Sequence, residues 1–463
     1  MYKQIYLSYL YKFIYFILMP IQIFLLTNIM DVSLYGRIMF IITFFTMLST
    51  FISLGMQNYE SISIPKLKVR SQLKVFKVSF LFQLLLYVII GLILFIFVYI
   101  YFNVNIWYII CTYFFYLIYV QIGRFYTYRH RSDISTFMNI FELILFIVLL
   151  YYCLPESKYT KENYLELFYI YLIFYIILSL TFLIIFDKKK DFINAPSKLK
   201  ILKYGIQFGF PLLITDLLWQ FIINISSYTF LIYNLDVELG QFALAYKFSN
   251  VFYLLTSPLI WIIYPYLVKY YKKDYNHFIN IFYMQVKISS SFILIFYVLF
   301  LFISKEVVIF ISDDTYYNKF LFYFLFFYPL LMTYTYIMYQ QFSLEKRNLL
   351  MLKLYIKTFI FFMLISLILA PLIGVYGVVL NSIIALIYIF YKLQKKITNI
   401  SMQGFLVNDF VIITFIYFLI ILIQIFIGNS ILQIFLSMTI IIIYVIKEKL
   451  FSSYYKLFIS RDL

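Results

Sequence analysis

Residues 187–203 read DKKKDFINAPSKLKILK, the longest polar stretch in a chain that is otherwise almost continuously apolar. Six lysines surround Pro196, and a proline amid polar residues interrupts helix. Working outward, the sequence falls into about fourteen apolar stretches, each near the ~20 residues that cross a bilayer as a helix. Those before the polar stretch cover 8–30, 34–58, 76–102, 106–123, 134–153 and 164–186. Those after it cover 204–234, 239–268, 280–311, 319–343, 350–372, 375–392, 408–427 and 430–446.

The connections alternate in charge. Lys66, Lys68, Arg70, Lys74 and Lys77 fill one; Arg124, Arg129 and Arg131 the next but one; then the 187–203 stretch. Lys269, Lys272 and Lys273 follow, then Lys346, Arg347, Lys353 and Lys357, then Lys392, Lys395 and Lys396, and finally Lys447, Lys449, Lys456 and Arg461. The intervening connections 30–34, 103–105, 235–239 and 428–430 carry neither Lys nor Arg. Short cytoplasmic loops retain basic residues, so the pattern places both termini and the basic stretch in the cytoplasm. The apolar stretch from Phe13 to Ile29 is too long for the core of a cleaved signal peptide and has no small-residue cleavage site behind it.

Composition agrees: 65% of the 463 residues are hydrophobic and 12% charged, against ~25% charged in soluble domains. The net charge of +17 does not indicate nucleic acid. The basic groups sit where they meet an anionic inner leaflet, at on the order of 1 kcal/mol each. Cys111 and Cys153, and His130 and His277, lack ligand or disulfide spacing. No Gly-Lys-Ser/Thr phosphate loop is present. No cofactor is expected, and energy must come from an H+ or Na+ gradient, the membrane potential, or consumption of product on the far side.

The expected architecture is an all-α polytopic membrane protein with about fourteen transmembrane helices. Residues 1–187 form one six-helix bundle, 188–203 a basic cytoplasmic linker, 204–393 a second bundle, and 394–463 two additional helices and a tail. Six spans before the linker give both bundles the same orientation, a parallel pseudo-repeat around a central cavity. A weak echo supports it: Asp31-Val-Ser-Leu-Tyr-Gly36 opens the second span and Asp236-Val-Glu-Leu-Gly240 the eighth, with Pro65 and Pro265 near the exits. Pro20, Pro211, Pro258 and Pro329 lie inside spans, where each frees a backbone carbonyl that neighbours must satisfy.

The stretch from Lys203 to Tyr271 contains Tyr204-Gly205, Pro211-Leu-Leu213, Asp236-Val-Glu-Leu-Gly240, Ala245-Tyr-Lys247 and Tyr264-Pro265. Leu34-Tyr-Gly-Arg37 with Leu54-Gly55, and Pro371-Leu-Ile-Gly-Val-Tyr-Gly377 with Asn381-Ser382, stand elsewhere in matching order. This set resembles the polysaccharide (O-antigen and capsule) flippase family of the multidrug/oligosaccharidyl-lipid/polysaccharide (MOP) superfamily. The resemblance implies two six-helix bundles around a cavity. It also implies transfer of a polyprenyl-diphosphate-linked oligosaccharide from the inner to the outer leaflet of a bacterial cytoplasmic membrane. Membrane lipids are further partners, and a polysaccharide polymerase and chain-length machinery are possible ones.

That substrate needs cations for its diphosphate and a wet path for its sugars. Charges within spans are costly and default to functional positions. Lys247 and Arg37 are the first diphosphate candidates, with Lys12 and Arg124 nearer the inner rim, where snorkelling also accounts for them. Asp216 and Glu142 are candidates for a coupling proton or cation. Asp216 stands thirteen residues from Lys203 and Lys247 seven from Gly240, roughly 20 Å and 10 Å along their helices. In a ~30 Å core these depths coincide, so the two either form a structural ion pair or serve coupling and substrate separately. Glu142 either carries the coupling ion or packs against Asn or Tyr. The 50 Tyr and 56 Phe are expected mostly at lipid-facing and interfacial positions. A drug exporter of the same superfamily is the first alternative. A membrane polymerase would need an outer catalytic loop, and the largest, residues 154–163 (LPESKYTKEN), is too small. A scaffold would not need the embedded charges.

Overall fold

Short Asx caps set the phase of several helices in the computed structural model. It describes residues 2–64, 69–102, 107–128, 132–153, 172–173, 175–178, 198–271, 273–345, 347–397, 399–427 and 430–448. Most of the sixth expected span, the 154–163 loop, most of the basic linker, His130 and the tail lie outside the described residues. Asp31 Oδ1 accepts from Leu34 N at 2.7 Å, Asp274 Oδ1 from His277 N at 3.0 Å, and Asn399 Oδ1 from Met402 N at 3.1 Å. Each carboxylate or amide oxygen takes an N–H that the first helical turn leaves free.

The helices are α1 (Tyr2–Ile29), α2 (Val32–Ile52), α3 (Met56–Ser63), α4 (Val69–Phe102), α5 (Trp107–Tyr128) and α6 (Ser132–Cys153). Then follow α7 (Lys198–Ile223), α8 (Ile225–Ile232), α9 (Asp236–Tyr271) and α10 (Tyr275–Ile311). The remainder are α11 (Lys319–Phe324), α12 (Phe327–Leu344), α13 (Asn348–Ile373), α14 (Val375–Gln394), α15 (Ile400–Phe426) and α16 (Ser430–Lys447). The protein is an all-α polytopic membrane protein. Among the described residues seven helices are long and apolar enough to cross a membrane, or eight if a bent pair counts as one span. Their outward faces carry Leu349, Phe361, Ile368, Leu372, Phe415 and Phe426, each more than half exposed. Apolar faces of that extent require lipid rather than water.

Three expected spans are broken. The second stops at Ser53, where Leu54 (φ 42°) and Gly55 (φ 79°) turn the chain before α3. The seventh bends by 48° between its 199–207 and 212–223 segments, where Gly209 and Pro211 interrupt the helix. The tenth divides at Leu325–Phe326 into α11 and α12, which places Pro329 in a first turn, where its missing N–H costs nothing.

The freed carbonyls are satisfied by hydroxyls from neighbouring helices. Tyr297 OH donates to Phe322 O at 2.7 Å and Tyr417 OH to Tyr323 O at 2.6 Å, both beside the α11–α12 break. Ser249 Oγ donates to Leu325 O at 2.7 Å. Pro371 lies inside α13, so Leu367 O has no intrahelical donor, and Tyr233 OH serves it at 2.6 Å. Tyr297 and Tyr417, which serve carbonyls beside the α11–α12 break, are fully buried, so these two are not among the lipid-facing aromatic residues. A tyrosine packs like phenylalanine yet repairs a broken helix ladder.

The chain forms two compact units, residues 1–221 with 236–240, and 222–235 with 241–463. In the first, α6 lies along α1 and α5, and α4 along α5. Gly55 meets Gly209 backbone to backbone, and Gly36 meets Gly240, the last residues of the two Asp-Val turns. The sequence echo thus marks a contact. Arg37 Nε and Nη2 donate to Asp236 Oδ1 and Oδ2 at 2.9 Å and 2.6 Å across it.

In the second unit α10, α12, α15 and α16 converge on Asp409, a 6% exposed residue. Its Oδ2 accepts from Ser290 Oγ at 2.9 Å and from Tyr334 OH. One turn toward the helix ends Lys287 pairs with Glu448, and Ser291 Oγ bonds Tyr444 OH at 2.9 Å. Asp409→Ala leaves the buried Tyr334 OH without its acceptor, while Ser290 Oγ keeps Val286 O at 2.8 Å, and it is expected to destabilise the docking of α15 by roughly 1–3 kcal/mol. Thermal unfolding in detergent checks this, with Asp409→Asn losing less because an amide oxygen still accepts.

Candidate functional site

Two helical stripes build the site in the first unit. On α5, Tyr116, Tyr119, Val120, Gly123 and Arg124 recur at helical spacing, and on α6 so do Ser135, Met138, Asn139 and Glu142. Packed together, with Tyr15 and Gln22 of α1 and with Tyr175, they enclose a cavity of about 390 Å³. Gly123 leaves room between the stripes: the nearest atom to a Cβ there would be Ser135 Oγ at 3.6 Å.

The cavity brings together two of the charges picked from the sequence, Arg124 and Glu142. Glu142 Oε1 accepts from Tyr175 OH at 2.9 Å. Both alternatives stated for Glu142 thus have a physical basis: it packs against a tyrosine and it faces a cavity. Tyr116 and Tyr119 stand with ring centroids 5.2 Å and 6.3 Å from that of Tyr175 and form an aromatic wall behind the carboxylate. Arg124 Nη1 is buried without a hydrogen-bond partner. The site therefore offers an anion a guanidinium donor and a cation a carboxylate, within one polar enclosure.

The other sequence candidates lie elsewhere. Arg37 is 42% exposed at its side chain and paired with Asp236. Asp216, half-buried on α7, belongs to the first unit, and Tyr128 is within electrostatic reach of it, of Arg124 and of Glu60. Lys247, partly buried on α9 one turn before Val251, belongs to the second unit. Lys12 lies on α1, and its side chain is outside the described residues. Sequence reading missed Tyr15, Tyr119, Asn139 and Tyr175. Extending the helical stripe from Arg124 back to Tyr116, and from Glu142 back to Ser135, finds half the lining. Tyr175 carries no such signal, because only packing brings its helix to α5 and α6.

No protein-family model matches the chain, and no curated protein sequence does. Solved structures share its fold. The Vibrio cholerae MATE transporter VcmN superposes with a TM-score of 0.57 at 12% identity, over 87% of this chain and 97% of that one. A MATE multidrug resistance transporter of the MOP superfamily in an inward-facing conformation gives 0.61 at 14% identity, over 84% and 95%. The lipid II flippase MurJ in an inward closed conformation gives 0.53 at 14% identity, over 99% of both chains.

Proposed function

We propose that this chain is a flippase that moves a polyprenyl-diphosphate-linked oligosaccharide, an O-antigen, capsule or similar repeat unit, from the inner to the outer leaflet of a bacterial cytoplasmic membrane by alternating access. Glu142 carries the coupling proton or Na+, with Asp216 as the other embedded carboxylate. Arg124 and Lys247 meet the diphosphate. The observation that carries this reading is the polar enclosure that holds Arg124 and Glu142 among tyrosines. Guanidinium donors suit phosphate oxygens, tyrosine faces suit sugar rings, and neither is what an apolar drug selects. The lipid II flippase fold supports it by spanning 99% of this chain. The MATE folds span 84–88%, a remainder comparable in length to residues 394–463. A polysaccharide polymerase and chain-length machinery would act on the product outside, and surrounding lipids hold the carrier's tail.

A second reading, cation-coupled drug export, has the higher TM-score of 0.61 of a multidrug neighbour behind it. Deleting the gene separates the two. Lipid-linked glycan accumulating on the inner leaflet supports flipping; unchanged glycan with raised drug sensitivity supports export. The orientation follows the loop charges. Single cysteines replacing Glu156 and Lys269 in a Cys-free background are expected to react from outside and inside respectively, and labelling of both from one side rejects it.

A further inference from the structure

Glu60 played no part in the sequence reading. It stands on α3, immediately after the Leu54–Gly55 turn, and its residue exposure is 0%. A non-glycine residue held at positive φ, as Leu54 is at 42°, is strained, and such strain persists where the surrounding structure fixes it. The turn swings α3 into an apolar cluster of Met56, Ile64, Val75, Phe76, Phe125 and Ile201. Inside that cluster Glu60 Oε1 accepts from Ser79 Oγ. Ser79 Oγ in turn accepts from Gln83 Nε2 at 2.9 Å, and Gln83 Oε1 from Gln121 Nε2.

Within this hydrogen-bond network two acceptors are buried and have no partner: Glu60 Oε2 and Gln121 Oε1. An ionised carboxylate can only accept, and leaving it unpartnered in an apolar surround is costly. The groups facing Glu60 are Ser79 from α4 and Arg124 and Tyr128 from α5, with Asp216 of α7 reaching Tyr128. Arg124 is the cation among them, and it also lines the cavity of Glu142. One guanidinium is thus in electrostatic reach of Glu60 and shares a cavity lining with Glu142, and with both carboxylates ionised one negative charge remains in low dielectric.

We propose that Glu60 is a second cation station of the first unit, which takes a monovalent cation, a proton or Na+, at Glu60 Oε2 beside the Ser79–Gln83–Gln121 chain. A proton turns the orphaned oxygen into a hydroxyl donor. Na+ instead finds hard oxygen ligands of the kind it prefers in the carboxylate and the Ser79 hydroxyl. Either cation releases Arg124 toward Glu142 or a substrate phosphate. Binding at Glu60 is independent of what the protein carries, so its test reads binding and not transport.

The test uses the purified full-length protein. Difference infrared spectra between acid and alkaline pH, with and without Na+, read the protonation of buried carboxyls, and 22Na+ retention reads sodium directly. Of the buried carboxyl signals, which include that of Asp409, one is expected to be lost in Glu60→Gln and another in Glu142→Gln. A Glu60 signal indifferent to Na+ identifies the proton; one abolished by Na+, with bound 22Na+ lost in Glu60→Gln, identifies sodium. Should Glu60→Gln fail to fold, Ser79→Ala carries the test, because it keeps every charge. A midpoint moved by about one pH unit, or a Na+ affinity changed about tenfold, supports the station. A Glu60→Gln protein with unaltered spectra and 22Na+ binding, or an unmoved Ser79→Ala midpoint and affinity, overturns it.

Discussion

Gly209→Val is expected to leave little folded protein in the membrane. A Cβ at Gly209 would stand 2.0 Å from Gly55 O and 2.4 Å from Gly55 C. Those are backbone atoms, and they sit in a turn whose conformation is already fixed by Leu54 and Gly55 at positive φ. No side-chain rotamer relieves the clash, so α7 must separate from the α2–α3 break, at a cost of about 3 kcal/mol or more. Even Gly209→Ala meets the same atoms. Gly404 on α15 is the control: nothing lies within 4 Å of its Cβ, and Gly404→Ala in a helix interior is expected to stabilise by roughly 0.5–1 kcal/mol. Thermal melting of the detergent-solubilised variants, followed by monodisperse fraction, should therefore shift in opposite directions. Equal behaviour of the two alanine variants would refute the close crossing.

Glu142→Gln is expected to reduce gradient-driven transport of a polyprenyl-diphosphate-linked glycan in proteoliposomes to the level of protein-free vesicles. The substitution keeps shape and volume, and Tyr175 OH, 2.9 Å from Oε1, donates as well to an amide oxygen. The variant should fold and insert normally, which separates a lost coupling group from a lost structure. Glu142→Asp keeps the charge but draws it back from Tyr175 by one methylene, so it should retain part of the activity. Normal gradient-driven transport by Glu142→Gln would move the coupling role to Asp216 or Glu60. Arg124→Gln gives the complementary result: weaker binding of the glycan diphosphate, because its neutral amide replaces a guanidinium with donors to spare.

The membrane fold was legible because it depends on local quantities. A span is a run of apolar residues, so α6, α13, α14 and α16 fall within two residues of their expected places. Helix interruptions were only partly legible. Pro211 marked the bend in α7 and Pro329 the α11–α12 break, four residues before it at Leu325, but the break at Gly55 carries no proline and depends on what packs across it. Tyr297 and Tyr417 pay the hydrogen-bond debt of the α11–α12 break from helices far along the chain.

The site divides the same way. Arg124 and Glu142 could be picked from the sequence because a charge inside an apolar run is conspicuous wherever its helix points. Their meeting in one cavity could not, since it depends on the rotation of α5 against α6. Arg37 was read as a substrate contact by the same rule of conspicuous charge, and the fold gives it Asp236 as a partner. Glu60 was passed over because its segment reads as the end of a span. Only the turn at Leu54–Gly55, held by a backbone contact with Gly209, carries that carboxylate into an apolar cluster. The sequence alone determined that this is an all-helical chain of apolar spans, because that follows from the transfer free energies of residues taken one at a time. The tertiary structure decided which charges share a cavity, because neighbours across helices are set by rotation, bending and close glycine contacts that no single segment encodes.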